Sequence, residues 1–272
     1  MDALATSWDA CERMLAAEAS TKLQPMTAEQ LLFSEEGGPM PQVLLPVGLG
    51  RLGQILGLRA GELCEVYGGP ATGKTQLGLT VAACAAQDSR PVLFVTVKDH
   101  PVTLAERLQT IAISRKMDLA AFEQLHIYQA TDFADFAKII LRFGETFSQK
   151  TSQPLVVVDG LSSLLSPFTS ATSWAHRWRL AWAWRSLRQL AIPRGRLASG
   201  SCVLILSHTV NENTLALGQQ WLQAATRRLE LSQGRLELQM AKRGLPVAGS
   251  CQVALKAIDL VIGDAGVHEA EM

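Results

Sequence analysis

A chain of 272 residues, 48% hydrophobic and 18% charged, is long enough for one sizeable α/β domain with a short appendage. Its 25 basic and 25 acidic side chains cancel, so the overall charge does not by itself require a polyanionic partner. The five cysteines are isolated and no apolar run approaches the roughly 18 residues that span a bilayer, so we expect a soluble intracellular protein with no cysteine metal site and no contact with a membrane.

The first 42 residues are predicted to form a short helical N-terminal arm and linker. Short helical segments are expected at 8–17 and 27–32, and the stretch SEEGGPMP at 34–41 is rich in helix breakers. About forty residues bury too little apolar surface for an independent core. We therefore divide the chain into an arm at 1–42, a core at 43–265 and a tail at 266–272.

From residue 43 onward, short β-branched runs alternate with helical patterns. Strands are predicted at 63–67, 92–97, 126–128, 155–159 and 203–207, with helices at 75–87, 104–113, 133–143 and 174–190. Such alternation is typical of a mainly parallel sheet covered on both faces by helices. The segments 228–231 and 235–240 alternate around a glycine turn and predict a β-hairpin, so the α/β core ends in antiparallel strands.

A glycine-rich loop follows the first of these strands, with the spacing GxxxxGK[ST]. The loop and its flanks comprise Gly68, Gly69, Pro70, Ala71, Thr72, Gly73, Lys74, Thr75 and Gln76. A strand before this loop and a helix after it form the context in which backbone N–H groups bind nucleotide phosphates. Lys74 is expected to reach the β and γ phosphates, and the Thr75 hydroxyl to bind Mg²⁺.

A second Mg²⁺ ligand is expected at the end of the buried strand 155–159. Asp159 follows four apolar residues and precedes Gly160. Hydrolysis would also need a group that orients or activates water near the γ phosphate. The stretch VTVKDHP at 95–101 contains no glutamate, and Asp99 is the candidate base there; a solvated turn is the alternative interpretation.

The segment GELCEVYGGPATGKTQ at 61–76 resembles the opening of the ATPase core of the RecA/Rad-fifty-one recombinase family. The segment VVVDGLSSLLSP at 156–167 is similar to the paralogue subgroup, most closely to its D member, and LGQQW at 217–221 with TRRLEL at 226–231 is similar to the late core of that subgroup. The resemblance implies a RecA-like P-loop core that binds ATP and Mg²⁺. It also implies a nuclear role in DNA repair by homologous recombination, within a hetero-oligomer of recombinase paralogues.

Residue by residue, the resemblance matches Lys74, Thr75 and Asp159 to the family's lysine and Mg²⁺ ligands. It places Arg107 where the family sets an arginine against the adenine face. The family's catalytic glutamate has no match near Lys98, and its polar sensor pair is replaced by residues that include His208, a candidate donor to the γ phosphate. The family's N-terminal DNA-binding domain is too long for residues 1–40.

A basic, tryptophan-rich region separates Asp159 from Glu212. It contains no acidic residue and includes Arg177, Arg179, Arg185, Arg188, Arg194 and Arg196. Within a loop rich in glycine and serine, Arg194 and Arg196 are the candidate contacts to DNA phosphates. Three tryptophans at helical spacing, residues 174, 178 and 182, form one stripe that belongs either to the core or to an interface with a partner.

Three functions fit these features, and we rank them. The first is an ATP-binding recombinase paralogue that assists assembly of the recombinase filament on single-stranded or branched DNA. The second is a self-sufficient DNA-dependent ATPase in which Asp99 or a neighbour replaces the glutamate. The third is a P-loop small-molecule kinase, which the antiparallel C-terminal strands argue against, since such kinases usually end in helices.

Overall fold

The structure, a computed structural model, describes most of the region after the arm. The described residues are 49–147, 153–165, 174–192, 200–211, 214–215, 225–232, 234–241 and 257–270. The predicted arm at 1–42 and the candidate DNA contacts Arg194 and Arg196 lie outside them.

Helices and strands alternate through the first two thirds of the described chain. The helices are α1 (Gly50–Leu56), α2 (Lys74–Gln87), α3 (Pro101–Ser114), α4 (Phe133–Phe147), α5 (Leu161–Leu165) and α6 (Trp174–Ala191), with a 3-10 helix at Leu119–Gln124. The strands are β1 (Leu63–Gly68), β2 (Val92–Thr96), β3 (Leu125–Gln129), β4 (Leu155–Asp159), β5 (Cys202–Asn211), β6 (Thr214–Leu215), β7 (Arg227–Ser232), β8 (Arg235–Ala241), β9 (Ala257–Gly263) and β10 (Gly266–Glu269).

The strands form one sheet in the order β10-β9-β8-β7-β1-β5-β4-β2-β3, with β6 paired to β5. The run from β7 to β3 is parallel throughout, whereas β7, β8, β9 and β10 pair antiparallel in sequence. The predicted fold class, a RecA-like α/β core with a mainly parallel sheet and C-terminal antiparallel strands, is confirmed.

Burial of the central strands explains their continuous apolar runs. Every residue of β2 and β4 is buried, as expected for parallel strands covered by helices on both faces. On one face of the sheet, Phe94, Val157 and Leu204 belong to a single hydrophobic cluster with residues of α1, α2 and α3. On the opposite face α6 packs against β5 and β1.

The C-terminal end of the sheet extends beyond the predicted core. Residues 266–269, assigned above to the tail, form the edge strand β10. The Val267 amide donates to the buried Thr80 hydroxyl of α2 at 3.0 Å, and Arg115, the residue directly after α3, donates to the Val267 carbonyl. These contacts join residues far apart in the sequence, so no local pattern predicted the strand.

Two of the three tryptophans of the predicted stripe pack inside the domain. The ring centroids of Trp178 and Trp182 lie 6.3 and 5.5 Å from that of Phe133 in α4, and Trp182 is 9% exposed. The interpretation of the stripe as core therefore holds for these two side chains. None of the helices among the described residues is both long enough and apolar enough to cross a membrane.

Candidate nucleotide site

The carboxyl ends of β1, β5, β4 and β2 meet at one edge of the sheet. Gly68 pairs in register with His208, and Asp159 pairs with both Leu206 and Thr96. Because parallel strands all point the same way, the residues that follow each strand gather at this edge. The predicted site residues from four separate segments are thereby brought together.

The glycine loop that follows β1 has the backbone geometry of an anion cradle. Ala71 and Gly73 adopt positive φ angles of 59° and 91°, and such turns direct successive N–H groups inward. Helix α2 begins directly after Gly73, and this N-cap residue supplies no side-chain hydrogen bond to the first N–H groups of the helix. An uncapped helix N-terminus next to such a loop fits a phosphate chain.

Lys74 turns back over this loop. Its ammonium donates to the Gly68 carbonyl at 3.1 Å, the Gly69 carbonyl at 2.5 Å and the Thr72 hydroxyl at 3.0 Å. All three acceptors are neutral, so phosphate oxygens would be stronger partners for the same charge. Burial lowers the pKa of Lys74 to about 8, and Asp159 opposes that shift.

The two predicted Mg²⁺ ligands contact each other. The Thr75 hydroxyl donates to Asp159 Oδ2 at 2.6 Å. Burial raises the pKa of Asp159, and the hydrogen bond from Thr75 opposes this rise. Among the described residues no cluster of three or more His, Cys, Asp or Glu side chains could hold a metal ion, so a cation here would take its remaining oxygens from phosphate and water, as Mg²⁺ commonly does.

Gln76 joins the outer side of the loop to the C-terminal hairpin β9–β10. Its Nε2 donates to the Gly263 carbonyl at 2.8 Å, and its Oε1 accepts from Arg107 Nη2 at 2.7 Å. Arg107 also lies 3.7 Å from Asp99 Oδ2. The candidate base and the candidate adenine contact thus pair with each other in a half-exposed position, and both roles stay predictions.

A buried charged network under the loop was missed by the sequence analysis. Arg228 Nε donates to Glu65 Oε2 at 2.6 Å, and the Ser207 hydroxyl donates to Glu65 Oε1 at 2.5 Å. The Arg228 guanidinium also lies 4.7 Å from the centre of the Tyr67 ring. A charged residue within an apolar strand, as Glu65 is, was the one local signal that a buried partner exists.

Comparison with known proteins supports the resemblance drawn from the glycine loop. No family model matches the chain. It is 26% identical over 194 residues to the DNA repair protein RAD51 homolog 4 of Mus musculus, a match covering 65% of this chain and 57% of that protein. It is 25% identical over 203 residues to the Bos taurus protein of the same name, covering 69% and 61%. The resemblance to the RecA/RAD51 recombinase family, paralogue subgroup, is confirmed. The chain spans about three fifths of the length of these relatives.

Two departures from the recombinase pattern contact each other in this RAD51-like core. Lys98 follows β2 in the stretch where no glutamate was found, and its Nζ lies 3.3 Å from Nε2 of His208, the residue of β5 that pairs with the last residue of β1. The pKa of His208 is lowered, first by burial and then by the positive charges of Lys98 and Lys74. The neutral imidazole therefore accepts the hydrogen bond from the Lys98 ammonium through Nε2.

Proposed function

We propose that this chain binds Mg²⁺ and ATP at the glycine loop and acts as a recombinase paralogue, a subunit of a nuclear complex that repairs DNA by homologous recombination. In this role it joins other paralogues in a hetero-oligomer and assists assembly of the recombinase filament on single-stranded or branched DNA. The proposal gives nucleotide binding a structural role in assembly and does not require the chain to turn ATP over.

One arrangement carries the nucleotide part of this proposal. Lys74, held over the loop, and the Thr75–Asp159 pair stand together beside an uncapped helix N-terminus. This set supplies a cation for the phosphates and two oxygen ligands for Mg²⁺. When bound, ATP with Mg²⁺ would supply the charge that organises these groups.

The relatives support the DNA repair part of the proposal. Both are named as DNA repair proteins, and the matches cover about two thirds of this chain. The basic helix α6 supports binding of DNA, because its exposed arginines Arg177, Arg185 and Arg188 can pair with phosphate groups.

The first experiment measures ATP binding by the full chain with Mg²⁺, using isothermal titration calorimetry. Lys74→Ala is expected to weaken ATP binding at least about tenfold, because hydrogen bonds to charged groups are worth about 1.5–3 kcal/mol. Lys138→Ala is the matched control, since Lys138 is an exposed lysine on α4 paired only with its neighbour Asp135 among the described residues. Equal ATP binding by the wild type and Lys74→Ala would contradict a nucleotide role for the loop.

The second experiment tests assembly. The chain is co-expressed with individual recombinase paralogues and examined by size-exclusion chromatography with and without ATP. A stable hetero-oligomer that weakens with Lys74→Ala is expected, whereas elution of the chain alone in every combination would contradict the assembly role. Phosphate release stimulated by single-stranded DNA, from the chain alone and above the Lys74→Ala background, would instead favour the DNA-dependent ATPase.

A further inference from the structure

The Lys98 side chain bridges two strands that are not neighbours. β4 lies between β2 and β5 in the sheet, so the strands that position Lys98 and His208 are about 10 Å apart. The Lys98 side chain extends far enough for its Nζ to lie 3.3 Å from His208 Nε2. Since β4 ends at Asp159, the ammonium crosses the same edge of the sheet at which the proposed Mg²⁺ ligand stands.

Positive charge gathers at this crossing. The positive charges of Lys98 and Lys74 both contribute to lowering the pKa of His208. Gly68, whose carbonyl accepts from the Lys74 ammonium, pairs in register with His208, so the three nitrogen-bearing groups lie at the same edge of the sheet. None of the ion pairs between described residues involves Lys98.

The two candidate carboxylates of the site are already engaged. Asp159 accepts from Thr75, and Asp99 pairs with Arg107. The ammonium groups of Lys74 and Lys98 therefore lie at the same edge of the sheet, and no carboxylate among the described residues is paired with Lys98. An anion placed between the two ammonium groups would relieve their repulsion most effectively. An ammonium cannot accept a proton from water, so Lys98 suits binding of a phosphate group and not the activation of a nucleophile.

We propose that Lys98 and His208 form a second clamp, in addition to Lys74, for the terminal phosphate of the bound nucleotide. Through this clamp the site prefers a nucleoside triphosphate to the diphosphate and retains it. Lys74 serves both nucleotides from the glycine loop, whereas the Lys98–His208 clamp acts only when a terminal phosphate is present. The inference rests on the proposed binding of ATP and adds a specificity to it.

The test compares the affinities of the full chain for ATP and ADP, each with Mg²⁺, by isothermal titration calorimetry. The wild type is expected to bind ATP at least about tenfold more tightly than ADP. Lys98→Ala is expected to weaken ATP binding at least about fivefold and to change ADP binding less than about twofold. Lys98→Arg, which keeps the charge, is expected to recover most of the ATP affinity, and Lys98→Glu to lose more than Lys98→Ala.

Three further measurements assign the preference for ATP to this pair of side chains. His208→Ala is expected to reduce the preference for ATP in the same direction as Lys98→Ala. Lys138→Ala removes an exposed lysine elsewhere and is expected to leave both affinities unchanged. Thermal unfolding of each variant checks that the fold is retained, which is expected because Lys98 is exposed.

The outcomes distinguish this inference from the proposed function. If the wild type binds ATP and Lys74→Ala weakens that binding as expected, but Lys98→Ala weakens ATP and ADP equally or not at all, the clamp is refuted and the nucleotide site stands. If the wild type binds neither nucleotide, both proposals fail.

Discussion

Replacing Arg228 by methionine removes the buried cation that faces Glu65 across β1 and β7. Glu65 is 1% exposed and Arg228 is 6% exposed, and their side chains meet at 2.6 Å. Methionine has a similar length but no charge. Within the part of the chain that the structure describes, the Glu65 carboxylate would then keep only the Ser207 hydroxyl as a partner.

The expected cost is about 3–5 kcal/mol of unfolding free energy. Removing one member of a buried ion pair leaves an uncompensated charge, which costs about this much. Loss of the Arg228 contact with the Tyr67 ring adds about 0.5–2 kcal/mol. The substitution also removes Arg228 Nη2, which is buried and has no hydrogen-bond partner among the described residues, and this offsets the loss by a similar amount. For a protein with about 5–15 kcal/mol of total stability the net loss is large.

Urea unfolding, followed by tryptophan fluorescence and circular dichroism, measures this cost. The double variant Glu65→Leu/Arg228→Met removes both charges and is expected to be at least about 2 kcal/mol more stable than the sum of the single losses predicts. Arg235→Met is the matched control, because Arg235 pairs with Asp259 at 3.3 Å while both side chains are more than half exposed; its cost should stay below about 1 kcal/mol. A loss below about 1 kcal/mol for Arg228→Met, or strict additivity in the double variant, would refute the reasoning.

Two other substitutions test contacts that hold the site in place. Gly68→Ala should strongly destabilise the protein, because an added Cβ would lie 2.2 Å from the Leu231 carbonyl oxygen. Gly263→Ala is the control and should be tolerated, because nothing lies within 4 Å of its added Cβ. Equal melting temperatures for the two variants would contradict the close approach of β1 and β7. Thr80→Val keeps the side-chain shape but leaves the Val267 amide without its buried acceptor. Hydrogen exchange at the Val267 amide should therefore accelerate, and the free energy of unfolding should fall by about 1–3 kcal/mol. Unchanged exchange at that amide would show that β10 is held by other contacts.

The sequence predicted those parts of the fold that depend on local residue patterns. The strands and helices of the parallel core followed from short apolar and β-branched runs and from helical spacing, and β7–β8 followed from alternation around a glycine. The glycine loop and the end of β4 were also predictable, because a glycine-rich turn and a strand-terminal aspartate each occupy a few consecutive residues. The edge strand β10 was assigned to a tail because its stabilising contacts come from α2 and from Arg115 after α3, and not from its own sequence.

The amino-acid sequence alone identified the glycine loop, Lys74, Thr75 and Asp159 as candidate site residues, because their spacing and the strands before them form a local pattern. Only the tertiary structure decided which residues far apart in the sequence contact each other around this site. Glu65 and Arg228 are 163 positions apart, and Lys98 and His208 are 110 apart. Each pair forms because the strand order sets β7 beside β1 and lets a lysine reach across β4. Strand order arises from the packing of the whole sheet, and no local pattern encodes it.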